Sequence, residues 1–327
     1  MSPIVVVTME LDSDARAVLE EALAGAAQVE SLAGREATAR MALLGRADIL
    51  LGHNPARDLS QTEMQALGGI QLIQLMTAGF DFVALGDLPA GVAVASNAGA
   101  YSEPMAEHAL ALTLAAAKRL LVEHAALARG EFNQRTRNRM LSGMVCGILG
   151  YGGIGRATAR LMRCLGVKIH AINRSGVSDD ALDWIGTSAQ LETLLAAVDV
   201  LVISAPLTHA TQGMLGAREL ALMKDDAILV NLARGEIIDE AALFAHLQAH
   251  PKFTACLDAW WVEPIRHGAF RLDHPFTALS NVIGSPHNSA SVAQSSATAL
   301  RMAGLNCRRQ LQGEPVLNLI RPEDRYL

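Results

Sequence analysis

The sequence predicts an α/β protein built on parallel sheets, and three observations carry that expectation. Short runs of Val, Ile and Leu alternate with helix-period stretches along almost the whole chain, the pattern of parallel strands covered by helices. One such run opens into a glycine-rich turn that leads straight into a helical segment. With 327 residues, 51% of them apolar and 18% charged, the chain is long enough for about two domains and too apolar for disorder.

The first strand is expected at 4–8, after Ser2-Pro3; no basic stretch precedes a long apolar run, so this start reads as a strand and not as a secretion signal. A helix over 12–24 follows, with Asp12 as its N-cap. Further strands are expected at 48–52, 72–76 and 92–95. Ser102-Glu103-Pro104 then begins a long Ala/Leu helix expected to run to about 129. Ser102 caps it, and Pro104 sits in the first turn, where a missing N–H is harmless. The polar, basic segment 130–142 is expected at the surface. A second block starts at Met144-Val145-Cys146-Gly147-Ile148-Leu149 and continues with strands at 168–172, 200–204, 227–231, 253–257 and 282–284. Six strands of this kind make a dinucleotide-binding domain. A last helix over 291–312 leads to a short polar tail.

Composition removes several function classes. With 27 Lys+Arg against 33 Asp+Glu the net charge is −6, so the basic footprint of a nucleic-acid binder is missing. The longest apolar run, 109–117, is interrupted by Thr113 and closed by Lys118 and Arg119, too short for a bilayer span. Cys146, Cys164, Cys256 and Cys307 are scattered without a C-x-x-C pair. They are expected to be free thiols of a cytoplasmic protein, and no metal site is expected.

The most informative stretch is Gly150-Tyr151-Gly152-Gly153-Ile154-Gly155, a G-x-G-x-x-G between a buried strand and an Ala/Leu/Met helix. Gly150 permits the tight turn, Gly152 lets backbone approach a pyrophosphate, and Gly155 allows helix and strand to pack. Gly153 and Ile154 open the helix, whose N-terminal N–H groups would receive the anion. The next strand ends in Asn173-Arg174-Ser175, where an NAD site usually carries Asp or Glu for the ribose 2′-OH. Arg174 suits a 2′-phosphate, and Asn173 and Ser175 can donate to it. NADP(H) is therefore the preferred cofactor, with NAD(H) the alternative.

Three more motifs follow strands: Asn231-Leu232-Ala233-Arg234-Gly235-Glu236, Asp258-Ala259-Trp260-Trp261-Val262-Glu263-Pro264, and Ser285-Pro286-His287-Asn288-Ser289. In an open parallel sheet, strand C-termini border the ligand crevice. Arg234, Glu263 and His287 from three strand ends suit one chemistry. An Arg forks onto a carboxylate, a His exchanges a proton with the adjacent oxygen, and a Glu stabilises the imidazolium and fixes its tautomer.

In these residues the sequence resembles the D-isomer-specific 2-hydroxyacid dehydrogenases, and the resemblance extends over nearly its entire length. The matching stretches are Ala78-Gly79-Phe80-Asp81, Asn97-Ala98-Gly99-Ala100-Tyr101-Ser102-Glu103 and Ala106-Glu107-His108-Ala109. They continue through the glycine fingerprint, Ala205-Pro206-Leu207-Thr208 with Thr211, and the three motifs above. The resemblance implies that Arg234, Glu263 and His287 are catalytic. It implies a substrate-carboxylate clamp at the backbone of Ala78 and Gly79, and a nicotinamide-amide contact at Asp258. Pro206, Thr211, Leu232 and Ala233 would line the cofactor. It also implies two doubly wound parallel-sheet domains: a Rossmann cofactor domain, 99–288, inserted into a flavodoxin-like substrate domain, 1–98 plus 289–327. The active site would lie in the cleft, and the assembly would be a homodimer.

Trp260-Trp261 departs from the family's usual pair. Either a ring walls the pocket, or the rings pack beneath the loop. Ala78 is uncharged, so no second cation stands beside the clamp for a phosphorylated substrate. His108, His170, His246 and His274 read as surface or packing histidines, and His53 and Asn54 follow a strand that could face the cleft. The expected function is NADPH-dependent reduction of a small 2-oxo acid, glyoxylate or hydroxypyruvate first. An NAD-linked dehydrogenase of other specificity and a dinucleotide-sensing, corepressor-like binding protein are the alternatives.

Overall fold

The computed structural model describes residues 2–321 and 324; the other residues of the expected polar tail lie outside the described residues. The chain divides into two compact units, Met1–Tyr101 with Val292–Leu327, and Ser102–Ser291.

The first unit carries a parallel sheet of β1 (Ile4–Val7), β2 (Gln28–Ser31), β3 (Ile49–Gly52), β4 (Leu72–Leu75) and β5 (Ala93–Ala95), in the order β2-β1-β3-β4-β5. That is the flavodoxin-like, doubly wound order. The central strands β1 and β3 carry no polar side chain because both faces are covered, while β4 includes the buried Gln74. Val6, Leu50 and Ile73 fill one core, while Val5, Val7, Ile49, Leu51 and Leu72 fill the other. The helices Ser13–Leu23 (α1) and Ser295–Leu311, the last of the chain, close the second core with Leu19, Leu23, Ala299 and Ala303. Asp12 caps α1 by accepting from the Ala15 N–H at 2.8 Å. The last helix begins at Ser295, later than expected. The strand Gln28–Ser31 escapes a search for apolar runs because it lies at the sheet edge with only Val29 buried.

The second unit holds β6 (Val145–Leu149), β7 (Lys168–Ile172), β8 (Trp184–Gly186), β9 (Val200–Ile203), β10 (Ile228–Asn231), β11 (Thr254–Leu257) and β12 (Val282–Gly284). Its parallel order is β12-β11-β10-β9-β6-β7-β8, with the reversal between β6 and β9. This is the Rossmann order with one strand added at the end. The short edge strand β8 is the one absent from the six expected.

The helix expected over 102–129 is two helices, Ser102–Ala117 (α2) and Leu120–Ala128 (α3), and the break has a tertiary cause. The Arg139 N–H donates to the Ala117 carbonyl at 2.9 Å, and Lys118 Nζ donates to the Arg139 carbonyl at 2.7 Å. The carbonyl that would continue the helix is thus taken by the returning chain, and Arg119 turns left-handed at φ 53°. α2 packs against β10, β11 and the helix Gly153–Arg163 (α4). Cys146, Cys256 and Cys307 are buried free thiols, each pushed up to about 12 by burial, and Cys164 is exposed. No helix among the described residues is long and apolar enough to cross a membrane.

Candidate active site

The glycine turn takes its shape from what surrounds it. Gly150 sits at φ +102°, and a Cβ there would stand 2.4 Å from the Ala205 backbone nitrogen. The N–H groups of Gly150 and Tyr151 both donate to the Ile172 carbonyl, tying the turn to the end of β7. Ser204 Oγ donates to the Gly150 carbonyl at 2.9 Å. A Cβ on Gly155 would meet that same carbonyl oxygen at 2.7 Å, so α4 lies hard against the strand. Gly152 caps α4 without a side-chain hydrogen bond, no acid occupies the first turn, and open space surrounds the Gly152 Cβ position. Exposed backbone and a free helix dipole make a cradle that fits the diphosphate of a dinucleotide.

At the end of β7, the Asn173 amide donates to the Val177 carbonyl at 2.8 Å, and its oxygen accepts the Gly176 N–H at 2.7 Å. Ser175 Oγ donates to Asn173 Oδ1 at 3.3 Å, so both side chains shape the turn that presents the exposed Arg174. The acid missing at the strand end returns from further along. Asp180 Oδ2 accepts from Tyr151 Oη at 2.9 Å and from Arg156 Nη1 at 2.7 Å. Burial, aided by Asp180, pushes the Tyr151 hydroxyl up to about 12. Eight residues beyond the strand, Asp180 carried no signal in the sequence. After β9, Thr211 Oγ1 donates to the Pro206 carbonyl at 2.7 Å and accepts the Thr208 N–H, closing that loop. Leu232 and Ala233 are buried after β10.

Arg234, Glu263 and His287 all belong to the second unit. The Asn231 side chain bridges the Ala233 N–H and the Arg234 carbonyl, setting the turn that leads to Arg234. A Cβ on Gly235 would lie 2.4 Å from the Trp260 backbone carbon, so only glycine lets the two loops touch. Glu263 accepts the Trp260 N–H at 2.7 Å, and His287 Nδ1 lies 2.8 and 2.7 Å from its two carboxylate oxygens. Burial alone would push the Glu263 carboxyl up. The His287 bond and charge, the Trp260 N–H and the charge of Arg234 together hold it below its ordinary value. An ionised carboxylate only accepts, so Nδ1 carries a hydrogen and Nε2 is left for proton exchange.

Both tryptophans pack. Trp260 Nε1 donates to the Ser285 carbonyl, and Trp261 Nε1 donates to the Ile238 carbonyl with its ring stacked on Phe276 at 5.1 Å. The Asp258 carboxylate, with no exposed surface, accepts from Ser285 Oγ at 2.6 Å and from the Asn288 and Ser289 N–H groups at 3.2 Å. It therefore organises the His287 loop, a task the sequence did not suggest. His108 is half-buried, and its Nε2 lies 3.0 Å from Ser285 Oγ. His170, His246 and His274 do make ring contacts, with Trp184, Phe253 and Phe244. In the first unit, Ala78 and Gly79 follow β4, with Thr77 Oγ1 donating to the Gly79 carbonyl at 2.8 Å. His53 is exposed, and the Asn54 amide donates to the Phe82 carbonyl at 3.2 Å.

A Rossmann-ordered sheet with this turn defines a dinucleotide-binding α/β protein. The profile of the NAD binding domain of D-isomer specific 2-hydroxyacid dehydrogenases matches residues 110–289. A glyoxylate reductase of Aeropyrum pernix is 32% identical over 78% of this chain and 77% of its own length. The chain belongs to the D-isomer specific 2-hydroxyacid dehydrogenase family. A D-3-phosphoglycerate dehydrogenase of Methanocaldococcus jannaschii is 28% identical over 97% of this chain, which spans only 59% of that relative. Among solved structures, a D-isomer specific 2-hydroxyacid dehydrogenase from Xanthobacter autotrophicus Py2, in complex with NADPH and MES, is 27% identical. It covers 98% of this chain and 99% of its own, with a TM-score of 0.78.

Proposed function

We propose that the protein is an NADPH-preferring reductase of small 2-oxo acids, with glyoxylate and hydroxypyruvate its best substrates. The observation that carries this reading is the Glu263–His287 pair at 2.7 Å, with the Arg234 charge felt at the same carboxylate. Arg234 forks onto the substrate carboxylate and polarises the neighbouring carbonyl. The reduced nicotinamide, when bound, supplies the hydride to C2. His287 Nε2 gives its proton to the forming alkoxide, and Glu263 stabilises the imidazolium before that transfer. The backbone of Ala78 and Gly79 joins in holding the carboxylate. Pro206, Thr211, Leu232 and Ala233 line the cofactor. The reading includes a cofactor domain at 99–288, a substrate domain at 1–98 plus 289–327, a homodimer and a cytoplasmic location.

Arg174 supports the choice of NADPH, and the glyoxylate reductase relative supports the substrate class. A second reading, an NAD-linked dehydrogenase of other specificity, draws on Asp180, whose carboxylate stands against the glycine turn. The two separate in one assay: NADPH and NADH oxidation with glyoxylate, hydroxypyruvate, pyruvate and bulkier 2-oxo acids. The highest kcat/KM is expected with NADPH and the two smallest hydroxylated or aldehydic acids. A preference for NADH establishes the second reading, and no turnover with any acid favours a binding protein. Arg174→Asp loses a charge-assisted bond of about 1.5–3 kcal/mol, so the NADPH/NADH ratio of kcat/KM is expected to fall about tenfold to a hundredfold. An unchanged ratio removes Arg174 from the cofactor site.

A further inference from the structure

We propose that His108 is a positioning residue for the His287 loop, acting through Ser285 and Asp258; the proposal rests on the reductase reading. Four observations join these residues. Asp258 is fully buried, and Ser285 Oγ lies 2.6 Å from its Oδ1. His108 Nε2 lies 3.0 Å from that hydroxyl and 3.8 Å from Asp258 Oδ1. Asp258 holds the loop at three successive N–H groups: His287 to its carbonyl at 2.9 Å, Asn288 and Ser289 to its carboxylate at 3.2 Å. His287 itself stands at φ +51°, a conformation an L-residue keeps only when its surroundings enforce it.

The direction of the relay follows from proton counting. Asp258 already accepts the N–H groups of Asn288 and Ser289, and the single hydroxyl proton of Ser285 points to its Oδ1 at 2.6 Å. The Ser285 oxygen then has only lone pairs to offer His108, so His108 donates through Nε2–H. This fixes the ring, and it fixes the hydroxyl rotor that would otherwise turn away from the carboxylate. The chain His108 → Ser285 → Asp258 starts on α2, outside the loops that carry Arg234, Glu263 and His287. It clamps the backbone of the His287 loop while Glu263 clamps the imidazole.

The test is kinetic and structural, on the full chain. His108→Ala is expected to lower kcat about tenfold with KM for the 2-oxo acid and for NADPH within about twofold, since misplacing the proton donor impairs the step and not binding. His108→Gln, whose amide N–H reaches the same hydroxyl, is expected to recover most of kcat. Ser285→Ala is expected to match His108→Ala, and the double variant to be no worse than either, as members of one relay are non-additive. A kcat for His108→Ala within twofold of wild type, a Gln variant as impaired as Ala, or additive losses would overturn the proposal. Amide hydrogen exchange at 285–290 provides a readout independent of turnover. Faster exchange in His108→Ala is expected, and unchanged exchange rejects the clamp. If the wild-type chain reduces no 2-oxo acid, the reductase reading fails, while the exchange measurement still decides the role of His108.

Discussion

His287→Ala is expected to lower kcat with glyoxylate or hydroxypyruvate by about 10²–10⁴, the usual contribution of a positioned proton donor. The size follows from the geometry. Nδ1 is committed to Glu263 at 2.7 Å, so the ring cannot swing without breaking that bond, and Nε2 is presented in one orientation. The backbone is held by the Asp258 carbonyl, which accepts the His287 N–H at 2.9 Å, and no rotamer search precedes the transfer. Substitution by alanine leaves the glycine turn untouched. NADPH affinity, read by nucleotide fluorescence titration, is therefore expected to change by less than about threefold. Near-normal turnover in the variant would remove His287 from the chemistry. A collapse of NADPH binding would show instead that the loop supports the cofactor.

The parts of this molecule legible in its sequence are those whose physics is local. Parallel strands covered on both faces are mostly apolar, so Ile4–Val7 and Val200–Ile203, buried at every position, stand out as runs, and the sheets that they build take their expected class. Edge strands lack that requirement. Gln28–Ser31 buries one apolar residue, and Trp184–Gly186 is three residues long at the margin of the second unit's sheet. The helix break at Arg119 was illegible for another reason: nothing near it is Gly or Pro, and its cause is Arg139, twenty residues on. The site divides in the same way. Strand-end motifs single out Arg234, Glu263 and His287 because their residue types suit one reaction. The partners that orient them act across long separations, His108 and Ser285 being 177 residues apart. Asp180 shows the converse error. An acid absent from the strand end is still delivered to the turn by the loop beyond it, bound by Tyr151 and Arg156.

Glu263→Gln is the second large effect, and its signature lies in pH. The folded Glu263 carboxyl is held below its ordinary value, by His287, Trp260 and Arg234 against the opposing push of burial. A carboxyl lowered on folding contributes stability that is present above its ordinary value and lost as pH falls through its folded value. Near neutral pH the group is therefore ionised, and in a position only 6% exposed it is the anion facing the imidazolium. Glutamine keeps the shape and removes the charge. The imidazolium then gives up its proton more readily, and the flipped amide can leave the ring in the wrong tautomer. The basic limb of the kcat profile is expected to move to lower pH, since the charge that favoured the protonated pair is gone. Above that limb kcat is expected to fall by about 10²–10³. Because the two groups titrate together, the limb belongs to the pair and not to His287 alone. Thermal unfolding supplies the independent check. Wild type is expected to lose stability as pH drops through the acid range, and the variant to lose less, since it has no carboxyl to protonate there. A pH–rate profile superimposable on that of wild type would separate Glu263 from proton transfer and leave it only the structural bond to Trp260.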